Sequence, residues 1–127
     1  MIRMSEKSIY LYYVEANLSE EDIINRLDVW KTKFLNEIIL KYLDKYLKLL
    51  KTSINEYKIK KMKSAWGIYH FRNNYITFNS LLIEKDEKFI EYVVLHELCH
   101  IFYQNHQKEF WSLVEKFMPN YKKYRRA

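Results

Sequence analysis

The chain has 127 residues, enough to bury a sizeable core but too few for two ordinary domains. Glycine and proline occur once each, at Gly67 and Pro119, which excludes a turn-dense β-sandwich and favours long helices. The net charge of +6 comes mostly from scattered lysines; it is compatible with nucleic acid or another acidic partner, although a solvated basic surface is the commoner cause. No run of about eighteen apolar residues marks a membrane span. The N-terminus lacks the serial features of a secretory leader, and a single cysteine cannot form an internal disulfide. A cytoplasmic protein with no membrane partner is the expectation.

Ile9 to Glu15 is aromatic and β-branched and reads as a strand. Ser19-Glu20-Glu21-Asp22 then resembles a capping box with acids in the first helical turn. Ile23, Leu27, Trp30, Phe34, Ile38, Tyr42, Leu43, Tyr46, Leu47 and Leu50 follow at three- and four-residue steps. They predict one long amphipathic helix, or two with a kink, from about Glu20 to Lys51. Such a stripe is core packing; too few strict heptads fit for a coiled coil. Glu56 to Met62 alternates and reads as a half-buried strand, and Trp66–Phe71 and Tyr75–Asn79 as two more. A two-residue turn at Asn73-Asn74 would pair Phe71 with Ile76 and Tyr69 with Phe78 on the core side, with His70 opposite Thr77. As a lone strand histidine, His70 reads as an exposed side chain rather than a ligand.

Asp86 to Gln104 predicts a second long helix capped by Asp86. It is apolar nearly all round, as a helix at the centre of its domain is. Polar groups there are costly without partners. Yet this helix carries His96-Glu97-Leu98-Cys99-His100, with His106 six residues beyond. HExxH on a helix places two imidazoles on one face, close enough to share a small cation, with a glutamate beside the cation's open side. Such a glutamate can take a proton from water and later pass it to a leaving group. His106 would complete a three-histidine set. An unbroken helix would turn about 600° between His100 and His106 and leave the latter about 120° off the ligand face. The helix must therefore end between them, with Gln104-Asn105 the expected place. Cys99 reads as a small core residue. A third helix over about His106–Phe117 has Phe110, Leu113, Val114 and Phe117 as its inner face. Pro119 ends it, and the basic tail from Tyr121 onward reads as frayed.

From Met62 through Arg125 the chain resembles the YgjP-like metallopeptidase family, relatives of SprT-type zinc metalloproteases. The carrying residues are Trp66-Gly67, Ile76-Thr77-Phe78-Asn79, Tyr92 through His100, Asn105-His106, Phe110-Trp111 and Pro119-Asn120-Tyr121. The resemblance implies a zincin-like α+β fold, with a small mixed or antiparallel sheet packed against long helices that include the HExxH helix. It implies one zinc ion per chain held by His96, His100 and His106, with Glu97 acting on water. Departures are Ile68-Tyr69 where the family usually has Ser-Cys, Gln107 where Ser is frequent, and a shorter N-terminal part.

The expected organisation is one zincin-like domain over 1–127. It has an N-terminal strand and long helix over 9–52, strands over 56–79, the active-site helix over 86–104 and a C-terminal helix over 106–118. The expected function is a zinc-dependent peptidase acting on a peptide or protein substrate through a metal-activated water, with Glu97 as general base. Tyr69, His70 and Tyr103 are the residues considered for stabilising the developing anion, and Glu109 for orienting a ligand from outside. Two alternatives stay open: a metal-dependent nucleotide pyrophosphatase, and a non-catalytic basic nucleic-acid-binding module with a structural metal. Oligomeric state is not legible.

Overall fold

The computed structural model describes residues 18–125, so the expected strand over Ile9–Glu15 lies outside the described residues. The first helix, α1, spans Glu20–Leu50 without a kink. Ser19 stands before it in extended conformation, and its Oγ accepts the Asp22 N–H at 3.1 Å. Glu20, Glu21 and Asp22 add negative charge where the helix dipole favours it. The helix ends at Lys51, a left-handed residue with φ 54°, whose N–H turns back to the carbonyls of Leu47 and Lys48. The buried stripe differs in part from the expected one. Leu35 and Ile39 are fully buried, whereas Trp30 and Phe34 stack on each other at the half-buried margin, 5.3 Å apart. Periodicity gave a correct period with a rotated face, because large aromatics can cover a core edge without entering it.

Three strands follow: β1 (Glu56–Lys60), β2 (Gly67–His70) and β3 (Tyr75–Asn79). Their spatial order is β1-β3-β2, with β1 parallel to β3 and β2 antiparallel to it. The turn after β2 has four residues rather than two, and His70 pairs with Tyr75 and Tyr69 with Ile76. This register is shifted by an even number of residues from the expected one, so strand faces are preserved. Phe71 is the exception: it lies in the turn, 57% exposed, and not on the core side. Contacts distant in sequence decide this turn. Asn74 adopts φ 50°, donates from Nδ2 to the Ser53 carbonyl at 3.0 Å and accepts the Tyr69 hydroxyl at 2.7 Å. Asn79 at the end of β3 is 3% exposed and ties the β1–β2 connection down, donating to the carbonyls of Met62 and Ala65.

A 3₁₀ turn (Ser80–Glu84) leads to α2, Glu87–Cys99. Asp86 stands at its N-cap but makes no side-chain capping bond, contrary to expectation. As expected for a central helix, residues Phe89 through Leu95 and Glu97 through Cys99 are all buried. Its acids are met by α1: Glu87 accepts from Lys41 at 3.1 Å and from Tyr42, and Glu91 accepts from Lys45 at 3.0 Å and from Tyr46. Then come α3 (Lys108–Phe117) and the short α4 (Lys122–Arg125). The tail through Arg125 is thus ordered as a helical turn, anchored by Tyr121 at 5% exposure, rather than frayed. Among the described residues no helix is long and apolar enough to cross a membrane.

Candidate metal centre

Helix α2 stops at Cys99, about a turn before Gln104-Asn105, and His100 is its C-cap. The reason is local. The N–H groups of His100, Ile101 and Phe102 bond three residues back, and His100 Nδ1 donates to the Tyr103 carbonyl at 3.0 Å, so the chain tightens and turns away. His106 therefore lies in the non-helical link before α3 and folds back over the end of α2.

Three imidazoles converge there. Ring centroids of His96 lie 5.0 Å from both His100 and His106, and those of His100 and His106 are 4.8 Å apart. One nitrogen from each falls within 4.8 Å of the others, the one such group of histidine, cysteine or acidic side chains among the described residues. The Nε2 atoms of His96 and His106 are 3.1 Å apart. A tetrahedral zinc with bonds of about 2.0–2.1 Å spaces its nitrogen ligands by about 3.3–3.4 Å. Burial, then the neighbouring His100, His106 and Arg125, push His96 down to about 3, and burial also lowers His100. Both are thus neutral at pH 7, the form that binds a metal. The donor set fits a divalent cation with one side open.

The rings are held from outside. The Tyr103 carbonyl fixes the His100 tautomer so that Nε2 carries the free lone pair. The Tyr92 hydroxyl lies 3.3 Å from His96 Nδ1. These groups, rather than the exposed Glu109, supply the outer partners. Phe110, 0% exposed, touches all three imidazoles, with centroids 4.6 Å from His100 and 5.0 Å from each of the others. Trp111 stacks on His106 at 5.7 Å. Sequence reading placed Phe110 on a generic inner face; its four-residue step from His106 was the available signal.

Glu97 lies beside this cluster, 7% exposed, with Oε2 4.0 Å from His96 Nε2. Because His96 is neutral, this is proximity and not an ion pair. Burial raises Glu97 to about 7, offset in part by the nearby backbone N–H of Tyr69 on β2. That approach depends on Gly67: a Cβ there would come within 2.9 Å of Glu97 Cγ and 3.1 Å of Val93 Cγ1. The chain's one glycine is a matter of space, since its φ is not positive. A cleft of about 470 Å³ opens over the three histidines and Glu97, walled by Ile68, Tyr69 and Phe71 on one side and Gln104-Asn105 on the other.

Other candidates lie elsewhere. His70 bonds Thr77 Oγ1 at 3.0 Å and stacks on Tyr75, on the sheet face away from the cluster. The Tyr69 hydroxyl is engaged by Asn74, and Tyr103 contributes its carbonyl. Cys99 is fully buried, its thiol pushed up to about 12 by burial and then by Glu97, and it does not join the cluster.

The family model described as YgjP-like, metallopeptidase domain, matches residues 2–127. The chain belongs to the YgjP-like family. Two solved structures have the same fold. The metallopeptidase zymogen abylysin of Pyrococcus abyssi is 23% identical with a TM-score of 0.61, over 68% of this chain and 87% of that one. The metallopeptidase zymogen jannalysin of Methanocaldococcus jannaschii is 28% identical with a TM-score of 0.56, over 63% and 81%. A comparison with curated proteins finds no match. As a YgjP-like protein the chain is a metal-dependent peptidase with a zincin-like α+β fold, and peptides or proteins are its substrate class.

Proposed function

We propose that this chain is a zinc peptidase, folded as one domain, in which His96, His100 and His106 hold a single ion and Glu97 is the general base. The observation that carries the reading is the convergence of three imidazole nitrogens and one buried carboxyl on the same cleft. When bound, zinc supplies Lewis acidity toward a scissile carbonyl and acidifies water in its open position. Glu97, buried beside the histidines, is placed to accept a proton from the attacking water and return it to the departing amine. Among the described residues the sheet has two edge strands, β1 and β2, and β2 is the one that borders the cleft. β3 is flanked on both sides and offers none, whereas Ile68-Tyr69 of β2 line the cleft. An extended peptide laid on β2 would be held by main-chain bonds across the histidines. The arrangement suits catalysis better than a structural metal, which normally has four protein ligands where three converge here.

Elemental analysis of the purified protein, beside His106→Ala, is the first test. The expected result is about one zinc per chain, largely lost in the variant. Peptide and nucleotide libraries are then offered to the loaded enzyme. Cleavage of peptides that stops in Glu97→Gln supports the proposal; turnover of nucleotides alone points to the pyrophosphatase alternative; a protein that takes up no zinc refutes the site.

A further inference from the structure

A second cavity, of about 210 Å³, adjoins the main cleft and shares Gly67, His96 and Glu97 with it. Its remaining walls are mostly aromatic, from Trp66, Phe89, Tyr92 and Tyr124, with Val93 and Arg125 completing the lining. Lys85 sits beside the same walls, its Nζ 5.0 Å from the Trp66 ring centre and 5.5 Å from that of Phe89. Neither cation pairs with a carboxylate among the described residues. Arg125 is also pre-set. Its guanidinium stacks over Trp111 at 4.1 Å, which fixes the plane while leaving the edge N–H groups to donate. Trp111 is itself sandwiched by Tyr121, 5.2 Å away. A planar donor fork on a rigid aromatic stack matches a carboxylate in two-bonded geometry.

Resting on the peptidase reading, we infer that this cavity is a specificity subsite for a carboxylate carried by the substrate residue next to the scissile bond, with Arg125 its principal donor and Lys85 a second positive charge. Because the cavity borders His96 and Glu97 directly, a side chain or chain end lodged in it is only a few bonds from the peptide that would be cut. The carboxylate can belong to an internal Glu or Asp, or to the free C-terminus of the substrate; the chemistry recognised is the same. Aromatic walls accept the methylene stem or a flat neighbouring group. Arg125 is a specificity residue here and takes no part in bond breaking.

The test is a binding measurement on the zinc-loaded full chain carrying Glu97→Gln, which prevents turnover. Titration calorimetry compares an acetylated, amidated alanine hexapeptide, the same peptide with one Glu at each position in turn, and the same peptide with a free C-terminal carboxylate. The expected result is that at least one acidic peptide binds about tenfold more tightly than the neutral one. Adding Arg125→Ala flattens the difference, and Arg125→Lys restores part of it, since a point charge replaces a fork. Which peptide gains identifies the source of the carboxylate. Equal affinities for all peptides, or an acid preference that survives both Arg125→Ala and Lys85→Ala, overturn the inference. Zinc content is measured alongside: its loss in Arg125→Ala would show that the residue acts through Trp111 and His106 instead, and also overturn it. If wild-type enzyme neither binds nor cuts any peptide, the peptidase reading fails first and the subsite with it.

Discussion

Gly67→Ala adds one methyl group where none fits beside Glu97. The new Cβ would sit 2.9 Å from Glu97 Cγ, 3.3 Å from Glu97 Cδ and 3.1 Å from Val93 Cγ1. Carbon pairs rest at about 3.5–4.0 Å, so β2 and α2 must separate by about half an ångström or more, or Glu97 must change rotamer. Glu97 is not free to swing cheaply, because it is 7% exposed and packed against β2. Overpacking of this kind costs about 1–3 kcal/mol of stability, read as a drop of several degrees in Tm. The effect on turnover is larger in proportion, since misplacing a catalytic group by about 1 Å can cost ~100-fold. Neither His100 nor His106 is among the atoms the methyl meets, so zinc content should hold near wild type. The assay is kcat/KM on a cleaved library peptide beside Tm and elemental analysis. Gly67→Ala cleaving at the wild-type rate would refute the claim that strand-to-helix spacing sets the base.

Phe110→Ala removes the ring that contacts all three imidazoles and leaves a cavity at a fully buried position; about 3–5 kcal/mol of stability and weaker zinc retention under a chelator are expected, measured by denaturant titration and competition. In the metal-stripped protein Glu97 is held neutral up to about 7, from an ordinary 4.5. The unfolded chain ionises first as pH rises, so this group erodes stability between the two values. Glu97→Gln should therefore stabilise the metal-free protein by about 1–3 kcal/mol at pH 8 and by little at pH 4, on the scale of about 1.4 kcal/mol per unit; no difference at pH 8 would contradict the buried placement. Burial raises Glu91, but the Tyr46 hydroxyl and the Lys45 ammonium outweigh it and hold the carboxyl below its usual value. Its contribution is present above the ordinary value of 4.5 and is lost as pH falls through the lowered folded one. The stability gap between wild type and Glu91→Gln, followed by thermal melts, should close on the acid side.

How far the sequence could be read depended on the range of the interactions that settle each feature. The bounds of α1 follow from Ser19 and its acids and from loss of periodicity after Leu50, all local, and they were legible. β3 matched to the residue for the same reason. The convergence of His96, His100 and His106 was legible because four-residue spacing on a helix and the rotation between His100 and His106 are both arithmetic. The helix end was misplaced by about a turn because the bond from His100 to the Tyr103 carbonyl competes with helix, and no propensity records it. The β2–β3 register depends on Asn74 reaching Ser53 and on Asn55 reaching the Asn73 carbonyl. The covered tail depends on Tyr121 and Arg125 finding Trp111. Gly67 was read as a breaker, whereas its reason lies on another element, at Glu97.

The two clasps between α1 and α2 repeat with one interval. Lys41 and Tyr42 meet Glu87, and Lys45 and Tyr46 meet Glu91, four residues further along both helices. The helices therefore run the same way, and the paired rungs act as a graduated scale between them. A slip of one turn, about 5.4 Å, could bring Lys45 and Tyr46 opposite Glu87, but would strand Glu91, which is 3% exposed, without either partner. The same slip would carry His96 and Glu97 past β2. The alignment of His96 and Glu97 with β2 is thus indexed by residues that do not line the cleft. Any redesign of the centre that shifts α2 has to rewrite that scale as well.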